Sequence, residues 1–324
     1  MGSEYYETPV LDKLASGGMI FKQAYASAAN CAPSRACMII GQWTPRHGIY
    51  TVNNSDRGKS SDRKIIPVPN NTVLPDSYYI LPEALHDAGY ITCHAGKWHL
   101  SDDPTKQGYE VNIGGWHSGN PGSYYPPYRN VPIEAPSDDY YLTNLIMDRV
   151  LEFLDGNEDQ PFFLYYSPYA VHTPIHPVIE LLPEYEGKEE WNGQNNAKYA
   201  TMVENLDTQI GRLVSKLEES GKLDNTFILF TSDNGGPYSI TKQWPLRAGK
   251  GSYYEGGIRE PLVISWKNNI SAGSKCDIPV SQLDLFPTFL EIAGLGEPDN
   301  KILDGVSIVP LFSGRMIEDR ALYW

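Results

Sequence analysis

The sequence predicts an α/β fold with a mostly parallel central sheet covered by helices on both faces. Three observations carry this expectation. Runs such as Phe162-Phe163-Leu164 and Ile228-Leu229-Phe230 are apolar at consecutive positions, the pattern of strands buried on both faces. These runs alternate with amphipathic helical segments, which is the order of an α/β layer structure. Polar clusters follow the strands that end near residues 94, 166 and 231, and ligands in such folds sit at the carboxyl ends of strands. At 324 residues the chain can bury one large core or two smaller ones.

Thr8-Pro9 caps and begins a helix, with Val10, Leu11 and Leu14 as its apolar face and Gly17-Gly18 as its stop. Residues 19–25 read as a strand. Cys31 precedes a short apolar helix that Gly41 ends. Residues 43–75 are rich in Asn, Asp, Ser and Pro and read as a surface loop. Leu81-Pro82-Glu83 starts a helix through Asp87, and residues 90–94 form a short strand. Residues 101–137 mix Gly, Pro, Tyr and Trp, the make-up of a substrate wall. Residues 139–155 have helical spacing, with Asp138-Asp139 as the cap. A strand follows at 161–166, then a long amphipathic helix at 197–220. Strands at 226–231 and 261–266 and a helix at 283–293 complete the pattern.

A net charge of −14 argues against general nucleic-acid binding, which needs a basic face. A local cluster of Lys and Arg in a cleft can still hold an anion. The 22 Tyr and 7 Trp suit sugar stacking, although most such side chains belong to cores. The four cysteines, Cys31, Cys37, Cys93 and Cys276, are too few for a disulfide scaffold and contain no zinc-type pair; one bridge is allowed. No apolar run is long enough to cross a membrane. The opening residues carry no signal peptide.

The most specific stretch is Cys31-Ala-Pro-Ser-Arg35. A thiol at a helix start faces unpaired N–H groups and a partial positive charge, with Arg35 one turn further on. A buried cysteine in a capping turn is the plainer alternative. Asp233-Asn234 offers two side-chain oxygens to a hard cation, and the following Gly235-Gly236 makes a tight Asx turn equally accessible. Lys97 and His99 follow a strand, and alternation puts them on one side. A cation beside a histidine suits transfer of an anionic group. His172 also lies past a strand end, and Lys250 sits in a glycine-rich loop open to close ligand approach. Each of these is as compatible with a solvated side chain.

Together, and in this order, Cys31-x-Pro-Ser-Arg35, Gly96-Lys-Trp-His99, His172-Thr-Pro, Ser232-Asp-Asn-Gly235, Gly249-Lys-Gly and Tyr254-Glu-Gly-Gly resemble the blocks of type I sulfatases. Residues 280–288 are similar to a further block that packs behind the site, in which Asp284 reads as structural. The resemblance implies an alkaline-phosphatase-like α/β/α sandwich and a sulfuric ester hydrolase acting on a sulfated carbohydrate. It implies that Cys31 is converted by a maturation enzyme to formylglycine, whose hydrate attacks sulfur. Arg35 would hold that hydrate, Asp233 and Asn234 would bind Ca²⁺, and Lys97 and Lys250 would clamp the sulfate. His172 would serve the leaving oxygen, and His99 would take a proton so that the covalent sulfate ester collapses to the aldehyde. Family members are commonly periplasmic, extracellular or lysosomal.

Two departures from that pattern are expected to matter. The family opens with an apolar strand ending in adjacent Asp residues, two further metal ligands; neither Asp102-Asp103 nor Asp138-Asp139 closes an apolar strand. The catalytic domain over 1–324 is therefore expected to be incomplete at both ends, with two metal ligands and most of a C-terminal subdomain outside it. The alternatives are a phosphomonoester or phosphodiester hydrolase of the same fold, and an inactive fragment that holds an anionic glycan. His117 and His176 are candidate substrate contacts or loop hydrogen-bonders.

Overall fold

A computed structural model describes residues 2–56, 58–157 and 160–324. In chain order the elements are α1 (Pro9–Gly17), β1 (Met19–Phe21), β2 (Ala24–Tyr25), α2 (Cys31–Ile40), α3 (Thr44–His47), α4 (Leu81–Asp87), β3 (Ile91–Gly96), β4 (Val111–Ile113), α5 (Leu142–Asp155), β5 (Phe162–Ser167), α6 (Leu182–Tyr185), α7 (Ala197–Glu219), β6 (Ile228–Thr231), α8 (Glu255–Ile258), β7 (Leu262–Ser265), β8 (Ser274–Cys276), β9 (Val280–Ser281), α9 (Leu285–Ile292) and α10 (Val309–Phe312).

The strands form a parallel sheet in the order β4-β3-β5, a mixed sheet β6-β7-β1-β8, and a small parallel pair β2-β9. The α/β class and the prevalence of parallel pairing are as the sequence predicts. One strand departs from it: β7 runs antiparallel to both β6 and β1. An apolar run buried on both faces looks the same in either direction. The strand expected at 19–25 is broken between β1 and β2, which pair with different partners, β8 and β9.

The core falls into clusters on the two faces. On one side Ile39 and Ile40 of α2 pack with Leu81 and Leu85 of α4 and with Phe286 and Leu290 of α9. On the other, Leu145, Ile146 and Val150 of α5 pack with Met202 of α7 and with Cys93 and Ala95 of β3. Fully burying each such side chain contributes roughly 1.5–3 kcal/mol, so the helices stay on the sheet by apolar contact. Between the two larger sheets lies a cavity of about 1560 Å³, lined by β5 and β6 and walled by α7 and α9.

The helix start at Thr8 is capped differently from the expectation. The Thr8 side chain makes no cap bond; Asp207 of α7 accepts from Val10 N at 2.8 Å and Leu11 N at 2.9 Å. Asp138-Asp139 does not cap α5, whose N-cap is Tyr141; Asp139 accepts from Ser137 Oγ instead. All four cysteines are buried and free, so the allowed bridge does not form. No helix among the described residues is long and apolar enough to cross a membrane.

Candidate active site

The carboxyl ends of β3, β5 and β6 and the first turn of α2 build one site. Cys31 is the first residue of α2, rather than the residue before it, and is buried. The helix needs no side-chain cap; it is closed at its far end by Gly41, whose φ of 73° lets its N–H reach Cys37 O at 2.8 Å. One turn in, Arg35 donates from Nε to Asp233 Oδ2 at 2.7 Å and from Nη1 to Lys97 O at 2.5 Å. One guanidinium thus ties α2 to the loops after β3 and β6.

Lys97 is placed by a close backbone approach. Its N–H donates to Ser167 O at 2.6 Å, and a Cβ on the preceding Gly96 would lie 2.2 Å from that same oxygen. Ser167 Oγ donates to Lys97 O at 2.8 Å. His94, buried in β3, lies 3.2 Å from Ser167 Oγ; since Ser167 spends its proton on Lys97 O, His94 Nε2–H is the donor. Burial, with the nearby Arg35 charge, pushes His94 down to about 3, so it stays neutral. Lys97 and His99 do converge on Cys31, but not by strand alternation. The strand ends at Gly96, and His99 turns back in the left-handed region at φ 66°.

Lys250 Nζ lies 3.4 Å from Cys31 Sγ. Burial alone pushes the Cys31 thiol up; Lys97 and hydrogen bonds with His172 and His99 outweigh it and hold the thiol well below the usual range. Burial holds Lys97 below its ordinary value, countered by Cys31. His99 is also lowered, first by burial. Asp233 is raised by burial, but Arg35, Lys97 and Lys250 together hold its carboxyl far below the carboxylate range. Three cations against one carboxylate make this pocket positive inside a chain of net charge −14. His172 Nδ1 donates to Thr173 O at 2.9 Å, so Nε2 is the ring nitrogen left to face Cys31.

Asn234 is buried, and its Oδ1 has no hydrogen-bond partner. An orphaned buried oxygen beside an ionised carboxylate is what a hard cation would take up. Asp233 and Asn234 therefore fit Ca²⁺ as part of a donor set. Among the described residues no group of three or more His, Cys, Asp and Glu completes it.

Gln282 and Glu260 escaped the sequence reading. Gln282 accepts from Ser34 Oγ at 2.6 Å and donates to Ser232 O at 2.6 Å, locking α2 to the end of β6. Glu260 is buried with Oε1 unpartnered; burial and the Asp233 charge hold its carboxyl well above the usual range. Asp284 is structural, accepting from Ser281 N and Val306 N and pairing with Arg320. His117 pairs with Asp102 at the surface, and His176 accepts from Tyr124 N, both as loop contacts. Asp103 caps a short 3₁₀ turn. Of the expected aromatic substrate wall, Tyr124 and Tyr128 are buried core residues.

The Sulfatase family profile matches residues 1–295. The chain belongs to the sulfatase family. The human N-acetylgalactosamine-6-sulfatase is 30% identical over 351 residues, covering 100% of this chain and 64% of its own length. Human arylsulfatase A is 30% identical, with 95% of this chain and 63% of its own length covered. The chain thus spans just under two thirds of these sulfatases. Among solved structures, Ps i-CgsB in complex with k-i-k-neocarrahexaose matches with a TM-score of 0.81 and 32% identity, over 96% of this chain and 72% of that one. A phosphonate monoester hydrolase from Silicibacter pomeroyi, 19% identical with a TM-score of 0.70, shares the fold.

Proposed function

We propose that this sulfatase-family protein hydrolyses sulfate esters of carbohydrates, with residue 31 as the nucleophile position. The observation that carries the reading is the Lys250 ammonium 3.4 Å from Cys31 Sγ, with Lys97 and Arg35 near enough to act on its charge. Fixed cations aimed at one point stabilise charge that develops there without reorganisation. Conversion of Cys31 to formylglycine, by a maturation enzyme as in the family, replaces the thiol with an aldehyde whose hydrate supplies the attacking oxygen.

The chain's own residues then divide the work. Arg35, Lys97 and Lys250 bind the sulfate oxygens and balance their charge. His172 presents Nε2 to the leaving sugar oxygen and, as the doubly protonated imidazolium, passes it the Nε2 proton while Nδ1–H stays on Thr173 O. His99, lowered by burial, is neutral near pH 7 and accepts a proton next to residue 31. Asp233 and Asn234 would hold Ca²⁺ as part of its donor set, and the bound cation would supply Lewis acidity toward the sulfate oxygens. Ser167, His94 and Gln282 position Lys97 and α2 rather than touching substrate. The carbohydrate class is supported by the N-acetylgalactosamine-6-sulfatase and k-i-k-neocarrahexaose relatives, and an exported compartment goes with the same reading.

The test is kcat/KM for the sulfate and the phosphate monoester of 4-nitrophenol. A higher value for the sulfate is expected. A higher value for the phosphate overturns the sulfatase reading in favour of phosphoryl transfer.

A further inference from the structure

The loop between Gly236 and Lys250 stands on the rim of the site, because its two stems carry site residues. Asp233 and Asn234 lead into it, and Lys250 ends it. Lys250 N donates to Gly236 O at 3.0 Å and closes the base, which makes residues 237–249 a compact Ω-shaped excursion. Gly256 N donates to Arg247 O at 2.9 Å and pins the outgoing side.

This loop is chemically unlike the rest of the chain. From Asn234 to Tyr254 there is no Asp or Glu, whereas Lys242, Arg247 and Lys250 are all cationic, in a protein of net charge −14. The same stretch exposes large rings: Tyr238 is 54% exposed, Trp244 59%, Tyr253 55% and Tyr254 51%. These rings are held rather than loose. Lys242 Nζ sits 3.4 Å from the Tyr238 ring centroid, Arg247 lies 3.8 Å over Tyr254, and Trp244 packs edge-on against Trp191 at 6.2 Å. Lys242, Gln243 and Trp244 line the same cavity as Arg35, Lys97 and Lys250. Gln243 Oε1 is buried there with no partner, an acceptor for a ligand hydroxyl.

Rigid aromatic faces alternating with cations match a ligand that is both ringed and polyanionic. We propose that residues 237–249 form a second binding site, for the saccharide units that adjoin the sulfated one. Trp244 is its stacking platform, Lys242 and Arg247 hold neighbouring anionic groups, and Gln243 takes a hydroxyl. The inference rests on the carbohydrate-sulfate reading and adds that the protein grips a chain rather than a single sugar.

The experiment is calorimetric titration of the whole protein with two probes. One is a hexasaccharide carrying 6-sulfated N-acetylgalactosamine; the other is the monosaccharide N-acetylgalactosamine 6-sulfate. The hexasaccharide is expected to bind more tightly. Trp244→Ala is expected to weaken it about tenfold or more, with a clearly smaller change for the monosaccharide. The pair Lys242→Ala/Arg247→Ala is expected to flatten the salt dependence of hexasaccharide binding. An unchanged melting temperature confirms that these exposed substitutions leave the fold intact. Equal affinity for the two probes, or an equal loss for both in Trp244→Ala, overturns the inference. Sulfate release from the monosaccharide, followed in parallel, tests hydrolysis separately. Turnover without a Trp244 effect sinks the second site alone; selective Trp244 dependence without turnover leaves it standing.

Discussion

Replacing Arg35 with methionine strands the Asp233 carboxylate, and the cost can be worked from the geometry. The pair is buried, with side chains 9% and 22% exposed and Nε 2.7 Å from Oδ2. At charge centres about 4 Å apart and an effective dielectric of about 20, the attraction is about 4 kcal/mol. Lys97 and Lys250 still face Asp233 in the variant, and Ser167 still satisfies the Lys97 carbonyl. The net loss is therefore about 3 kcal/mol, the low end for breaking a buried pair. With an unfolding entropy of roughly 2.1 cal/mol/K per residue, that lowers the melting temperature by about 4 °C. The double variant Arg35→Met/Asp233→Asn is expected to be more stable than the two single losses summed, because the pair is removed together, although Lys97 and Lys250 then lose their carboxylate and recovery is partial. The pH dependence has a definite sign. Asp233 is held far below the usual range, so its contribution is full above the unfolded value of about 3.9 and fades as pH falls below it. The gap between wild type and Arg35→Met should therefore narrow on acidification. Calorimetric scans of the four proteins of the cycle measure it. A shift in Arg35→Met no larger than a surface substitution gives, or a double variant as unstable as the two singles summed, refutes the reasoning.

Two further outcomes follow from the same site. Unconverted Cys31 should be alkylated faster than Cys37 or Cys93 near pH 7, because burial raises both of those thiols, Cys93 to about 12, while cations lower Cys31; Lys97→Met should slow Cys31 selectively in peptide mass mapping, and equal rates at all three would contradict the electrostatic account. Calcium at ten times its dissociation constant should stabilise the protein by about 1.4 kcal/mol, or about 2 °C. Asn234→Leu, which removes the unpartnered Oδ1, should abolish that shift, and a shift that persists unchanged places the cation elsewhere.

Much of the layer order was legible because strands buried on both faces leave continuous apolar runs, as in β5 and β6. The direction of β7 was not, since pairing direction depends on partners far along the chain. The cap on α1 was misread for a related reason: its acceptor is Asp207, nearly two hundred residues away, and local propensity carries no trace of it. The site residues with chemical side chains, Cys31 through Lys250, stood out by type and order. Ser167 and Gln282 did not, because they act on backbone carbonyls that only the fold brings near. Tyr124 and Tyr128 lie in a loop whose composition suggested a substrate wall, yet both pack into the core, while Tyr238 and Trp244 of the loop leading to Lys250 are exposed.

The central claim is that residue 31, once converted, is the nucleophile of a sulfate-ester hydrolase. Sulfate release from N-acetylgalactosamine 6-sulfate, measured on protein produced with a formylglycine-generating enzyme, tests it most directly. The fraction of residue 31 present as aldehyde is read by peptide mass in the same samples. The account predicts that turnover rises in proportion to that fraction and vanishes in Cys31→Ala. Full turnover by Cys31→Ala, or a rate indifferent to the aldehyde fraction, would contradict it.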